Sequence, residues 1–267
     1  MPSVIALLSD FGLRDHYVGT MKGVIVGIAP DAVLVDLTHD IAPHDILQGS
    51  LQLAAACGFF PPETIFLSVV DPGVGSMRRA IAVEAGGFRF VAPDNGLLTS
   101  ALATRPVRRL VEITQRAYAL PTVSRTFEGR DRFGPAAAWL ARGVGIEQLG
   151  PPLEDYVRLD MPVPLVTSGW LRGQVLSIDR FGNAVSNIER LIFETFAAGR
   201  ALTITVAGHP LTGPVLTYAE IPPGDAAALF GSSDRLEVAI DGASAAERLQ
   251  IRVGDPLVVA PRGAGTT

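Results

Sequence analysis

Asp71, Arg78 and Arg79 flank the turn-forming stretch Pro72-Gly73-Val74-Gly75 and are the residues of this sequence best spaced for chemistry. An apolar, β-rich run at 64–70 stops at Asp71 and another starts at residue 80, which predicts strand, tight loop, strand. Open α/β sheets hold ligands outside the carboxyl ends of their strands, and an acid, a turn and a base at such an end set a carboxylate beside a guanidinium. The plain alternative is a surface turn with a solvated arginine pair. Asp10 closes the first apolar run, residues 4–8, where a carboxylate either accepts two hydrogen bonds from a ribose diol or caps a loop. Glu128 lies in Thr126-Phe127-Glu128-Gly129-Arg130-Asp131. An acid held near another acid and an arginine is how sites separate acid and base roles, although a surface glutamate fits the same spacing.

The elements that must position these groups alternate in type. Asp15 is placed to cap a helix over 16–28, with Val18, Met21, Val24, Ile25 and Ile28 along one face. A strand at 32–37 and a helix at 45–57 lead to the strand before Asp71. Strands at 80–85, 88–91 and 109–113 follow, with a short helix to residue 103 capped by Asp94 or Asn95, and a helix around 136–140. Such alternation predicts an α/β fold with a mostly parallel, doubly wound sheet. Met161-Pro162-Val163-Pro164 reads as a stiff linker. Beyond residue 170 the runs are short and β-rich, at 173–178, 201–206, 235–240 and 256–259, with helical pattern scarce outside 191–197 and 244–249. A small antiparallel β-barrel or sandwich accounts for them. Two domains are therefore expected, 1–160 and 170–267.

Composition removes several function classes. With 267 residues, 48% hydrophobic content, 18% charged content and a mean hydropathy of +0.33, the chain has ample material for a core. No apolar run approaches the roughly 18 residues of a membrane span, and no basic segment precedes residues 4–8, so the expected setting is cytoplasmic with no membrane partner. Cys57 is the one cysteine, which rules out an internal disulfide and reads as a small buried hydrophobe. Net charge is −5, and the basic residues are 21 arginines against the single Lys22, with no basic stripe, so nucleic acid is not an expected partner. Histidines 16, 39, 44 and 209 have no metal-ligand spacing, and no glycine fingerprint follows the first strand. Neither a metal nor a dinucleotide cofactor is expected.

Taken together, Ser9-Asp10-Phe11-Gly12, Tyr17-Val18-Gly19-Thr20-Met21-Lys22-Gly23, the 69–75 loop with Arg78-Arg79, Ala92-Pro93-Asp94-Asn95-Gly96, Thr126-Phe127-x-Gly129-Arg130-Asp131, and Asp179-Arg180-Phe181-Gly182-Asn183 with Asn187-Ile188 resemble the S-adenosylmethionine hydroxide adenosyltransferases, relatives of the fluorinase and chlorinase. The resemblance covers nearly the whole chain in motif order. It implies a Rossmann-like N-terminal domain, a C-terminal β-barrel, and a homotrimer with active sites at subunit interfaces. It also implies metal-independent displacement at C5′ of S-adenosyl-L-methionine by water or hydroxide, giving adenosine and L-methionine. An Asp, an Arg and a His hold the attacking water in that family, and by position these are Asp71, Arg78 and Glu128.

The family pattern is Thr-Phe-His-Gly-Arg-Asp, so Glu128 is a departure. Histidine shuttles a proton near neutral pH, whereas a carboxylate brings a charge. An S-adenosylmethionine- or adenosine-binding protein with little or no turnover is therefore the competing reading. The halogenases carry tyrosine where this chain has Asp71, and a carboxylate there repels halide. For substrate binding the resemblance implies Asp10 at the ribose, Asp71 and Phe127 in the site, Asn183 at adenine, Tyr218 stacking, and Asp179, Ser232 and Ser233 near the methionine end.

Overall fold

A computed structural model of the chain, describing residues 2–262, shows why the apolar runs of the first half are continuous rather than alternating. Strands β1 (Val4–Ser9), β2 (Val33–Thr38), β3 (Ile65–Val69), β4 (Ala80–Ala85), β5 (Phe88–Pro93) and β6 (Val107–Glu112) form one sheet in the order β2-β1-β3-β5-β4-β6. Both faces are covered, so successive residues are buried on opposite sides. Ile5, Leu7, Ile65 and Leu67 pack with Met21 and Ile25 of α1 (Tyr17–Ile28) and Ala137 and Leu140 of α4 (Gly134–Ala141). Ala6, Leu8 and Phe66 pack with Leu53 of α2 (Ile46–Cys57) and Ala101 of α3 (Thr99–Leu102). Cys57 is fully buried on this second face, where burial pushes its thiol pKa up.

The pairs β1/β2, β1/β3 and β3/β5 are parallel, and β4 is antiparallel to both of its neighbours. From β1 the chain passes through α1 to β2 on one side, then through α2 to β3 on the other. The crevice outside the carboxyl ends of β1 and β3 is therefore a topological switch point. Asp10 and Asp71 leave the sheet there, since Ser9 is in register with Val69.

Two expected caps are corrected. Asp15 does not cap α1: the N-cap is His16, already in helical conformation (φ −74°, ψ −7°) and with no side-chain cap. A cap needs non-helical backbone to aim its oxygen at the first amides. Neither Asp94 nor Asn95 caps α3, whose N-cap is Leu98. Asn95 instead donates to the Val70 carbonyl at 2.8 Å, which pins the start of the Asp71 loop. Asp45 does cap α2, accepting from the Gln48 N–H at 2.9 Å.

The chain divides into two units between Asp160 and Met161. In the second unit, strands β7 (Leu165–Val166), β8 (Leu171–Ile178), β9 (Ala184–Glu189), β10 (Leu202–Val206), β11 (His209–Val215), β12 (Ala226–Phe230), β13 (Arg235–Ile240) and β14 (Pro256–Pro261) run in the order β14-β10-β11-β12-β13-β9-β8-β7. A further pairing of β14 with β8 closes seven of them into a barrel. Its core includes Leu171, Val175, Ile188, Ile204, Leu236, Val238, Leu257 and Val259, with Phe193 and Phe196 from α5 (Arg190–Ala197) and Ala245 from α6 (Ala245–Arg248). The barrel is antiparallel except at one join, since β11 and β12 run parallel. Among the described residues no helix is long and apolar enough to cross a membrane.

Candidate active site

The loop after β3 turns back so that Arg78 faces Asp71. Arg78 Nε lies 2.9 Å from Asp71 Oδ1, and Nη2 bonds Asp71 Oδ2, a forked pairing that fixes the carboxylate in direction as well as charge. The same Nη2 reaches Glu128 Oε2 at 2.6 Å. The side chains are only 5% (Asp71), 10% (Arg78) and 11% (Glu128) exposed, which excludes a solvated surface turn. The Arg78 guanidinium also sits 5.1 Å from the centroid of the Phe133 ring. Burial would lower the Arg78 pKa, but its contacts with Asp71 and Glu128 outweigh this and raise it. One arginine therefore holds two carboxylates.

Glu128 is delivered from a different part of the chain. It immediately precedes a turn of π-helix, Gly129–Phe133, that runs into α4. Such turns are a recurrent feature of functional sites. Asp131, fully buried, accepts from the Ser124 N–H at 2.8 Å and so ties down the 124–128 segment. The two loops touch at Gly75: its φ is +75°, and a Cβ there would lie 2.4 Å from the Arg125 carbonyl oxygen. Only glycine lets them meet so closely. Arg132 approaches the other Glu128 oxygen at 3.5 Å.

In front of this cluster lies a cleft of about 280 Å³ within the first unit. Asp10, Asp71 and Glu128 supply its carboxylates, and Phe11, Tyr17, Val69, Val74 and Phe127 its apolar walls. Phe11, Tyr17 and Phe127 pack edge to face or tilted against one another, with centroids 5.1–6.1 Å apart. Asp10 accepts from the His44 N–H at 2.9 Å through Oδ2, leaving Oδ1 for a ligand. Arg79 serves elsewhere, as a brace to the buried Asp94 at 2.6 Å. Among the described residues no group of three or more His, Cys, Asp or Glu side chains is placed to hold a metal ion.

Of the candidate residues of the second unit, Asp179 and Asn183 share the turn between β8 and β9. Asp179 Oδ1 accepts from the Phe181 and Asn183 N–H groups, each at 2.8 Å, and Oδ2 from Asn183 Nδ2 at 2.9 Å. Tyr218 donates its hydroxyl to Glu237, a buried partner that the sequence reading missed. Its signal was an acid inside the apolar strand β13. Ser232 and Ser233 are exposed in the β12 to β13 turn, and the adjoining Gly231 abuts the Glu237 carboxylate, where a Cβ would meet Oε2 at 2.0 Å.

Burial raises the Glu237 pKa, against the Tyr218 hydrogen bond and with help from the Asp179 charge. Burial, then Glu237, raises that of Tyr218. An acid whose pKa is raised by folding costs the native state stability once the pH passes its ordinary range. Glu237→Gln should therefore gain thermal stability relative to the unsubstituted chain on going from about pH 4 to about pH 7. A melting difference that stays flat or falls over that interval contradicts the assignment.

Fold and site together define a small-molecule enzyme of the α/β class, with its charged groups at the switch point of a mostly parallel sheet. Residues 5–150 match the family model described as SAM hydroxide adenosyltransferase N-terminal domain, and residues 173–258 match the corresponding C-terminal domain. The chain belongs to the SAM hydroxide adenosyltransferase family. Similar proteins include the (R)-S-adenosyl-L-methionine hydrolase of Thermus thermophilus, 40% identical with 95% of this chain and 98% of the relative covered. Its counterpart in Salinispora tropica is 37% identical, with 96% and 97% covered. A fluorinase from Nocardia brasiliensis is 28% identical over 94% of each chain. The crystal structure of an uncharacterized conserved protein from Thermotoga maritima superposes with a TM-score of 0.91 at 34% identity, covering 96% of this chain and 99% of that one.

Proposed function

We propose that this enzyme hydrolyses (R)-S-adenosyl-L-methionine to adenosine and L-methionine by in-line attack of water on C5′. The observation that carries the reading is the buried Asp71 carboxylate, locked by Arg78 and facing a cleft that Asp10 also lines. As the water oxygen bonds to C5′, the bond from C5′ to sulfur breaks and its electron pair returns to sulfur as the neutral thioether of methionine. A sulfonium is already an activated leaving group, so the scheme needs no Lewis acid. What the site must do is orient the water and accept its proton, the part assigned to Asp71 with Arg78 fixing its direction. Carboxylates suit a cationic substrate and repel halide. Asp10 is assigned to the ribose diol and Phe127 to the apolar wall. Asp179, Asn183, Tyr218, Ser232 and Ser233 are proposed to bind the adenine and methionine portions. The test is chromatography after incubation with the (R) and (S) sulfonium epimers. Adenosine and methionine should form from the (R) epimer, and S-adenosylhomocysteine as the product would refute hydrolysis.

The proposal extends to a homotrimer with active sites at subunit interfaces, acting in the cytoplasm without nucleic-acid or membrane partners. A monomer by light scattering at micromolar concentration would remove the shared-site assembly.

One observation favours the second reading, binding with little turnover. Both Glu128 oxygens face arginines, Arg78 and Arg132. Glu128→His restores the family pattern and Glu128→Ala removes the group. If Glu128 takes part in catalysis, both substitutions lower adenosine formation, and Ala does so by about tenfold or more. A gain with His and no loss with Ala would make Glu128 a passive or inhibitory replacement.

A further inference from the structure

A line of side-chain hydrogen bonds runs from the base of the cleft to the sheet edge. Ser9 Oγ is 2.7 Å from His39 Nδ1, His39 Nε2 is 3.1 Å from Asp36 Oδ1, and Lys22 Nζ is 2.6 Å from Asp36 Oδ2. Ser, His and Asp in that order are the parts of a nucleophilic triad. Here Ser9 is fully buried and His39 is 3% exposed, so no substrate atom reaches the Ser9 hydroxyl. It faces main chain instead, accepting from the Phe11 N–H at 3.3 Å. The His39 carbonyl accepts from the Gly12 N–H at 2.8 Å. His39 thus grips the turn that carries Asp10 and Phe11 from two sides, through its ring by way of Ser9 and through its own backbone. Gly12, at φ +66°, makes that turn possible.

The order of donors fixes the histidine tautomer. The Asp36 carboxylate can only accept, so His39 Nε2 is its donor, and the Ser9 hydroxyl, which takes the Phe11 N–H on one of its two acceptor positions, gives its single proton to the other nitrogen of the neutral ring. Nδ1 is therefore the acceptor, and Nε2 carries the proton it donates to Asp36. Burial would raise the Asp36 pKa, but hydrogen bonds from Lys22 and His39 outweigh this and hold it below the ordinary value, so Asp36 is the anion this order requires.

We infer that His39 is a positioning residue that sets the Asp10 and Phe11 wall of the cleft through Ser9, and with it the enzyme's grip on the vicinal diol of a nucleoside. The inference rests on the proposed contact of Asp10 with the ribose. Removing His39 is expected to cost diol recognition and little else.

The test measures binding of adenosine and of 2′,3′-dideoxyadenosine by calorimetry to the full chain, unsubstituted and as His39→Leu and His39→Asn. His39→Leu should weaken adenosine about tenfold, one hydrogen bond's worth, and leave the dideoxy compound within about twofold. His39→Asn sets an amide oxygen near the Nδ1 position, keeps the Ser9 proton satisfied, and should retain most of the adenosine affinity. Equal weakening of both nucleosides by Leu, or no weakening of either, would overturn the inference by reducing His39 to packing. Equal affinity of the unsubstituted chain for the two nucleosides would instead overturn the ribose role of Asp10, and the diol role of His39 with it. Long-range proton–nitrogen correlation on histidine-labelled protein reads the tautomer without any ligand. A proton on Nε2 and none on Nδ1 is expected, and protonation at Nδ1 would break the proposed order whatever the binding result.

Discussion

Asp71→Asn is expected to lower turnover by about 10²-fold or more while the chain stays folded. Asparagine keeps the shape of the carboxylate and loses its charge, so the nucleophile loses both its proton acceptor and the partner that directs it. It also turns a donor towards Arg78, whose Nε sits 2.9 Å from Asp71 Oδ1, so the forked pairing cannot survive unchanged. The loss should fall on kcat with KM shifted far less, since the group acts on the attacking water rather than on the nucleoside. Turnover within about threefold of the unsubstituted enzyme would remove Asp71 from the mechanism.

Arg78→Met tests the same cluster through stability. Arg78 lies between two carboxylates whose side chains are 5% and 11% exposed, and methionine preserves the packing on Phe133 but not the charge. Breaking a buried ion pair by removing one partner typically costs about 3–5 kcal/mol, because the remaining charge is left uncompensated. Two charges are stranded here, with Arg132 near only one of them. A loss of about 3 kcal/mol or more is expected from chemical denaturation. Adding Asp71→Asn to Arg78→Met should recover part of that loss, because one stranded anion is removed. A single-variant loss below about 1 kcal/mol would mean that the cluster is solvated.

The first unit was legible in the sequence because its chemistry and its fold share landmarks. Each candidate carboxylate of the first sheet sits where an apolar run stops, and a doubly covered parallel sheet makes those runs continuous. Asp10 after β1 and Asp71 after β3 could thus be found without a structure. Their neighbours could not. Ser9 and His39 lie 30 residues apart, and nothing in either segment announces a 2.7 Å contact. Glu237 interrupts an apolar run, but its partner Tyr218 lies 19 residues away in a separate segment.

The second unit was harder for a local reason. Strand β12, Ala226–Phe230, has no β-branched residue, β11 carries Pro210, Gly213 and Pro214, and β9 includes Ser186 and Asn187. Barrel closure, which supplies their pairing partners, overrides these weak propensities. The misplaced caps at Asp15 and Asn95 have separate causes. At α1 the backbone is already helical at His16, and the Asn95 side chain is taken up by the Val70 carbonyl.

Running the reaction in ¹⁸O-labelled water decides whether solvent water attacks C5′. Mass spectrometry of the products should find one heavy oxygen in adenosine, at the 5′ hydroxyl, and none in methionine. Adenosine formed without the label would contradict attack by water, because the oxygen at C5′ would then have come from some source other than solvent.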